Sequence, residues 1–248
     1  MAGKNISVDL GKIKTVVMNI EPAVERRKHM ESLASSLGLQ ASFHHGPICT
    51  PYYLGCALSH LGALLKHGSE LPLLILEDDV KTTESYKRVF DVPASADIVY
   101  LGCSTFGTSP DYSRAVHGFL LSEPFDDEYL RLLSMTSQHA ILYTSPVGVQ
   151  VVIDAMLVAL CGTYRPGDVE LSRLLPTITA LTPRSVFFYQ AGALQSSPEK
   201  GSLLERITLI TPNTPYLSDP VEVDDPTEGK LRFGIKRNEE GVSEWRRL

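Results

Sequence analysis

An α/β domain on a mostly parallel sheet flanked by helices is the fold this sequence predicts, on three observations. Short runs rich in Val, Ile and Leu recur at 14–20, 71–77, 96–102, 139–144 and 185–190. Segments with apolar residues at three- and four-residue spacing separate most of them, as buried helix faces require. Strands that alternate with helices imply crossover connections, which make neighbouring strands parallel.

The elements follow in chain order. "KTVVMNI" (14–20) reads as a buried strand. In the next segment Pro22 suits a first helical turn, and Met30, Leu33, Ala34 and Leu37 share one face. Gly38 is placed as the C-terminal stop. Residues 41–45 read as a second strand. "LGCALSHLGALLKHG" (54–68) reads as a helix with Ala57, Leu58, Leu61, Leu64 and Leu65 toward the core. Residues 71–77 and 96–102 are buried strands, whereas 103–138 shows no sustained period and reads as loops with short strands. Residues 139–144 form a strand. Ser145, Pro146 and Gly162 then mark the N-cap, first turn and end of a helix over 145–162. Residues 167–175 read as a short helix capped by Asp168, and 185–190 as a last strand. No internal repeat is present. Residues 1–210 are expected to form one domain. The proline- and acid-rich 211–248 reads as a tail or surface wrap, with Trp245 able to pin it.

The 248 residues carry a net charge of −6, which argues against nonspecific nucleic-acid binding. No apolar run reaches the ~20 residues of a membrane span. The N-terminal residues lack the apolar core of a signal peptide. Cys49, Cys56, Cys103 and Cys161 form no CxxC pair and read as reduced core thiols, consistent with a cytoplasmic location, at or off a membrane surface.

"LLILEDDV" (73–80) carries the chemistry. An apolar strand that ends in Glu77, Asp78 and Asp79 crowds three negative charges, which is unfavourable without a cation or proton. In open α/β sheets ligands bind at the carboxyl ends of strands. Glu77 and Asp79, two residues apart, point the same way on extended backbone and present oxygens to one Mg²⁺ or Mn²⁺. A cation held by so few carboxylates takes its other ligands from phosphates and water. A solvated acidic turn is the plain alternative. A phosphohydrolase would need a second aspartate two residues after the first, and here Val80 and Lys81 occupy those places. A nucleotide-sugar transferase needs only the short acidic motif.

Three segments resemble glycosyltransferase family 25, which includes bacterial lipooligosaccharide and collagen galactosyltransferases. They are "VVMNIEPAVERRKHM", "GCALSHLGAL" and "LLILEDDV", with weaker echoes in "DIVYLG", "HAILYTSPVGVQVVIDAM", "GDVELSRLL" and "FFYQAGALQSSPEKGS". Together they run in order over about residues 14–202. Leu54 stands where the family usually has an acid, and Ile20 where it has Leu. The resemblance implies a GT-A-like, Rossmann-type domain. It implies an inverting, metal-dependent transfer of galactose or glucose from a UDP-sugar to a carbohydrate or glycolipid hydroxyl.

On that resemblance Glu77 and Asp79 take the metal, and Asp78 touches the donor and is counted among the catalytic residues. Asn19, Arg26, Arg27, Ser59, His60 and Gln190 bind the nucleotide sugar, with Ser196 or Ser197 near Gln190. Asp168 is the candidate base and Glu170 the second. As residues alone, the two arginines also fit solvent-facing helix charges, His60 a satisfied core histidine and Asp168 a simple cap. His44, His45 and His139 read as structural. A non-catalytic nucleotide- or glycan-binding protein, and a transferase acting on a protein or modified nucleobase, remain alternatives.

Overall fold

A computed structural model of the chain describes residues 4–109, 115–117, 119–190, 221–225, 229–237 and 243–247. In chain order the first half is β1 (Asn5–Asp9), β2 (Lys14–Asn19), α1 (Val24–Leu37), β3 (Gln40–His45), α2 (Tyr52–His67), β4 (Leu73–Glu77), β5 (Val80–Thr82), β6 (Val89–Pro93) and β7 (Ile98–Tyr100). Then follow β8 (Phe106–Thr108), β9 (Ala115–His117), β10 (Leu121–Pro124), β11 (Tyr129–Ser134), β12 (Ala140–Tyr143), α3 (Pro146–Val158), α4 (Gly167–Leu174), β13 (Ala180–Pro183) and β14 (Phe188–Gln190). Three further strands, β15 (Val221–Asp225), β16 (Gly229–Arg237) and β17 (Ser243–Arg247), form an antiparallel sheet within the segment read as a tail, with Ile235 opposite Trp245.

The fold is α/β, but its central eight-stranded sheet is mixed, in the order β10-β11-β13-β7-β12-β4-β2-β3. The pairs β3–β2, β2–β4 and β13–β7 are parallel. The pairs β4–β12, β12–β7, β13–β11 and β11–β10 are antiparallel. The expectation of a mostly parallel sheet is therefore corrected. Among the described residues between β7 and β12 there is no helix. The chain runs through β8–β11 and re-enters at the edge where β7 left, so β12 must run backwards between β4 and β7.

Both faces of this sheet are covered, which explains the unbroken apolar runs. Leu73, Leu74, Ile75 and Leu76 are all fully buried. Burying each such side chain contributes about 1.5–3 kcal/mol. Leu73 and Ile75 pack with α2 and α3 through Leu64, Val152 and Met156. Leu74 and Leu76 pack with Met30 of α1 and with Val8 and Val92 of the β1–β6 pair.

Several local expectations hold. Gly38 ends α1 in the left-handed region at φ 65°. Ser145 caps α3, its Oγ accepting from the Gly148 N–H at 3.1 Å. Others shift. Pro22 lies in the turn before α1 rather than in it. The helix at 145–162 leaves α geometry at Ala159, and Tyr164, not Gly162, takes the left-handed stop at φ 55°. On α2 the buried positions are Gly55, Ala57, Ser59, His60, Ala63 and Leu64, while Leu58 and Leu65 face outward. Two polar residues thus hold core places given to leucines. Cys103 is buried and Cys49 half-buried, but Cys56 and Cys161 are exposed, so they are not core thiols. Among the described residues one helical stretch, Pro146–Thr163, is long and apolar enough to cross a membrane by length and composition alone. Here it packs on α2 and α4 with Val152, Ala155 and Met156 fully buried.

Candidate active site

Four strand ends meet at one edge of the sheet. Met18 lies opposite Glu77 in the parallel β2–β4 register, so Asn19 and Asp78 emerge side by side. Antiparallel β12 begins where β4 ends, with Glu77 N donating to His139 O at 2.9 Å. Leu101 N donates to Ala140 O at 3.0 Å, which brings the segment after β7 to the same edge. A cleft of about 700 Å³ opens there, walled also by the first turns of α2 and α4. A second cavity of about 260 Å³ adjoins it and shares Arg26, Tyr52, Cys56 and Glu77.

The three carboxylates have different surroundings. Asp78 is 7% exposed and saturated: Asn19 Nδ2 donates to Oδ2 at 2.7 Å and Arg26 Nη1 to Oδ1 at 2.8 Å. It does not line the large cleft but lines the smaller cavity beside it, with both oxygens engaged by side chains of the chain itself. Glu77 receives His60 Nε2 at 3.4 Å on one oxygen and Gln190 Nε2 at 3.2 Å on the other. Burial would raise its pKa, but the His60 contact and the nearby His139 and Arg26 outweigh burial and hold it low. Asp79, 5% exposed, lines the cleft and lies 3.6 Å from Arg26 Nη1. Its Oδ1 has no hydrogen-bond partner among the described residues. Burial first, and the Glu77 charge second, push its pKa up to about 7 against the pull of Arg26.

The remaining expected residues divide. Asn19 is buried and lines the smaller cavity; its amide nitrogen donates to Asp78, while its Oδ1 has no partner among the described residues. His60 is buried, with Nδ1 unpaired beside the same cavity. Ser59 also lines it, but its hydroxyl donates back to Gly55 O at 2.7 Å, a helix-internal role. Gln190 lies at the cleft. Arg27 does not: it pairs with Glu31 at 3.0 Å and stacks over Phe43 at 4.5 Å on the outer face of α1. Ser196 and Ser197 fall outside the described residues.

Asp168 stands in the cleft wall in the first turn of α4, but it is not the N-cap, which is Pro166. Burial, followed by the Glu77 charge, raises its pKa to about 6, against a hydrogen bond from the Val169 N–H at 2.9 Å. Gly167 sets its position. A Cβ there would lie 2.6 Å from Met156 Sδ, so a larger residue would have to displace the end of the Met156 side chain between α4 and α3. Glu170 is 3% exposed and turned away, receiving Thr163 Oγ1 at 2.8 Å and Arg173 Nη1 at 3.0 Å. It is an internal anchor, not a second base.

Sequence reasoning missed the turn before β12. Thr136, Ser137 and Gln138 line the cleft. Ser137 has φ 141°, a costly conformation for a non-glycine residue. Its Oγ lies 2.5 Å from Nδ1 of His139, which burial pushes down to about 4 and so keeps neutral. Only the weak "HAILYT" echo touches this stretch. Cys56 also faces the cleft. Although Cys56 is exposed by surface area, partial desolvation by the cleft wall, then Glu77, Asp168, Asp79 and Asp78, push its thiol up to about 12, which favours the protonated form.

Asp79 fits a hard divalent cation: the residue lines the cleft, one of its buried carboxylate oxygens has no partner among the described residues, and burial together with the neighbouring Glu77 charge disfavours its ionised form, a cost that a bound cation would offset. Glu77 fits less directly, because His60 and Gln190 already engage both its oxygens. Comparison with known proteins finds no family model and no curated protein that matches the chain.

Proposed function

We propose that the chain is a metal-dependent glycosyltransferase that moves a hexose from a UDP-sugar to an acceptor hydroxyl with inversion. The observation that carries this reading is Asp79. It lines a large cleft just past the end of β4, one of its buried oxygens has no partner among the described residues, and a smaller cavity of about 260 Å³ adjoins the cleft. The ordered resemblance of "VVMNIEPAVERRKHM", "GCALSHLGAL" and "LLILEDDV" to glycosyltransferase family 25 supports the donor and the reaction class.

Asp79, with Glu77 behind it, would hold Mn²⁺ or Mg²⁺. The bound cation supplies charge neutralisation for the departing diphosphate. The smaller cavity, apolar at Met18, Ile20 and Ile48 and polar at Asn19 and His60, takes the base and ribose through the unpaired Asn19 Oδ1 and His60 Nδ1. Asp168 accepts the proton of the acceptor hydroxyl. Its pKa of about 6 leaves it ionised at neutral pH yet far more basic than an ordinary carboxylate. Arg26 holds Asp78 and Asp79 in place and adds positive charge at the diphosphate end. The acceptor is a carbohydrate or glycolipid, and the location is cytoplasmic, at or off a membrane surface.

The test is turnover of UDP-galactose and UDP-glucose with Mn²⁺, followed as UDP release. Asp79→Ala should abolish release while the protein keeps its circular dichroism and cooperative unfolding. Release that survived this substitution would contradict the metal assignment.

A further inference from the structure

We propose that the turn Thr136–Gln138 is an acceptor-sugar subsite, in which the Gln138 side-chain amide donates to a hydroxyl of a neutral hexose and Ser137 Oγ accepts from another. This proposal rests on the transferase reading and gives its open half a location.

Gln138 is 6% exposed and lines the cleft, and its Nε2 has no hydrogen-bond partner among the described residues. A buried amide donor is seldom left unpaired, so one that borders a cleft marks where a ligand oxygen completes the structure. Ser137 adds a second polar group. Whichever His139 nitrogen carries the proton, Ser137 Oγ keeps a lone pair after its 2.5 Å contact with Nδ1.

The turn is held rigidly enough to recognise a ligand. Ser104 Oγ donates to Thr136 O at 2.5 Å and Thr136 N donates to Phe106 O at 3.0 Å. Met135 N donates to Ser172 Oγ at 3.1 Å, and that oxygen lies 3.1 Å from Ser134 Oγ. Ser172 belongs to α4, the helix that carries Asp168. One hydroxyl cluster therefore fixes the spacing between the candidate base and the turn. The strained φ of 141° at Ser137 is what this anchoring sustains.

The chemistry of the walls selects the ligand class. Among the described residues Arg26 is the only cationic side chain lining the cleft, and it is bound to Asp78 and Asp79. Asp168, on the helix to which this turn is anchored, also lines it, so an anion is repelled at this end. Phe106 and Tyr53 line the same cleft and offer apolar ring surface to it. Aromatic faces with uncharged donors and acceptors suit a sugar ring, whose C–H face is apolar and whose rim is hydroxylated.

Saturation-transfer NMR tests this with methyl β-D-galactopyranoside and methyl β-D-glucopyranoside, each added to the full chain with Mn²⁺ and UDP. The wild type should saturate at least one of them. Gln138→Leu should weaken that binding roughly tenfold, the loss expected for one hydrogen bond to a buried group. Its rise in melting temperature with Mn²⁺ and UDP should match the wild type. Gln138→Glu, of equal size but without a donor, should weaken it similarly and carries the test if Gln138→Leu fails to fold. Absence of saturation of both hexosides in the wild type, or undiminished saturation in the variants, would overturn the subsite. A wild type with no Mn²⁺–UDP stabilisation that still binds a hexoside through Gln138 would overturn the transferase reading and leave the subsite standing.

Discussion

Arg26 and Asp78, 52 residues apart in sequence, meet at 2.8 Å, and the same guanidinium nitrogen lies 3.6 Å from Asp79. One cation at the start of α1 thus offsets two of the three charges that end β4. The charge problem posed by Glu77-Asp78-Asp79 is solved in part from within the chain: Arg26 for Asp78, His60 and Gln190 for Glu77, and an incomplete solution for Asp79.

Removing Arg26 should therefore be costly. Arg26→Met leaves Asp78 and Asp79 buried without their cation, a change that costs about 3–5 kcal/mol in fully buried pairs. Arg26 is 30% exposed, so the loss should fall near or below the low end of that range. Arg27→Met removes an exposed pair with Glu31 and the stacking over Phe43, each worth about 1 kcal/mol or less, and should cost no more than about 2 kcal/mol. Urea unfolding of the two variants measures the contrast.

The pH dependence of stability carries the signature of Asp79. Its folded pKa of about 7 lies above the unfolded value, so the folded chain binds the proton more tightly. The sign of linkage is that Asp79's contribution to stability is fully present below about pH 4 and is lost as pH rises through about 7. His139, lowered to about 4, works the other way between about pH 4 and 6.5. The measurement is therefore a difference: without divalent cations, the melting temperature of Asp79→Asn minus that of the wild type should climb between pH 4 and pH 7.5. Mn²⁺ added to the wild type should recover part of that gap at the upper end.

Asp168 and Glu170 separate base from anchor. Asp168→Asn should lower kcat for transfer by about 10²–10⁴, the usual contribution of a positioned base, with Mn²⁺–UDP binding retained. Glu170→Gln should instead lower stability by about 1–3 kcal/mol, because Arg173 and Thr163 lose a charged acceptor, with turnover kept. Steady-state kinetics and unfolding midpoints on the same preparations distinguish the two.

A packing test concerns Gly46. A Cβ there would lie 1.9 Å from Ser59 Oγ. Gly46→Ala should destabilise by about 1–3 kcal/mol through overpacking. Adding Ser59→Ala should recover much of that loss, a coupling read from the double-mutant cycle.

What was legible in the sequence follows from physical locality. The acidic end of β4 could be read because an apolar run passing into three acids is a local pattern. Asp168 could be noticed, but its neighbour Glu170 could not be told from it, since only the rotation of α4 turns one into the cleft and the other onto Arg173. The inward face of α2 was misjudged because leucines at the same spacing lie on the outside, while Ser59 and His60 occupy the buried stripe. Strand direction was not legible: β12 lies between β4 and β7 only because the chain between β7 and β12 returns to the edge it left. The same pairing delivers Ser137 and Gln138 to the cleft, and two common polar residues in an aperiodic stretch give no local signal of it.

The most direct measurement is the melting temperature of the wild type with UDP, GDP, ADP and CMP, each with and without Mn²⁺. Ligand at 100 times its dissociation constant stabilises by about 2.7 kcal/mol, a rise of several degrees for a chain of this size. The account predicts that rise with UDP, and only when Mn²⁺ is present. No rise with any of the four nucleotides would contradict it.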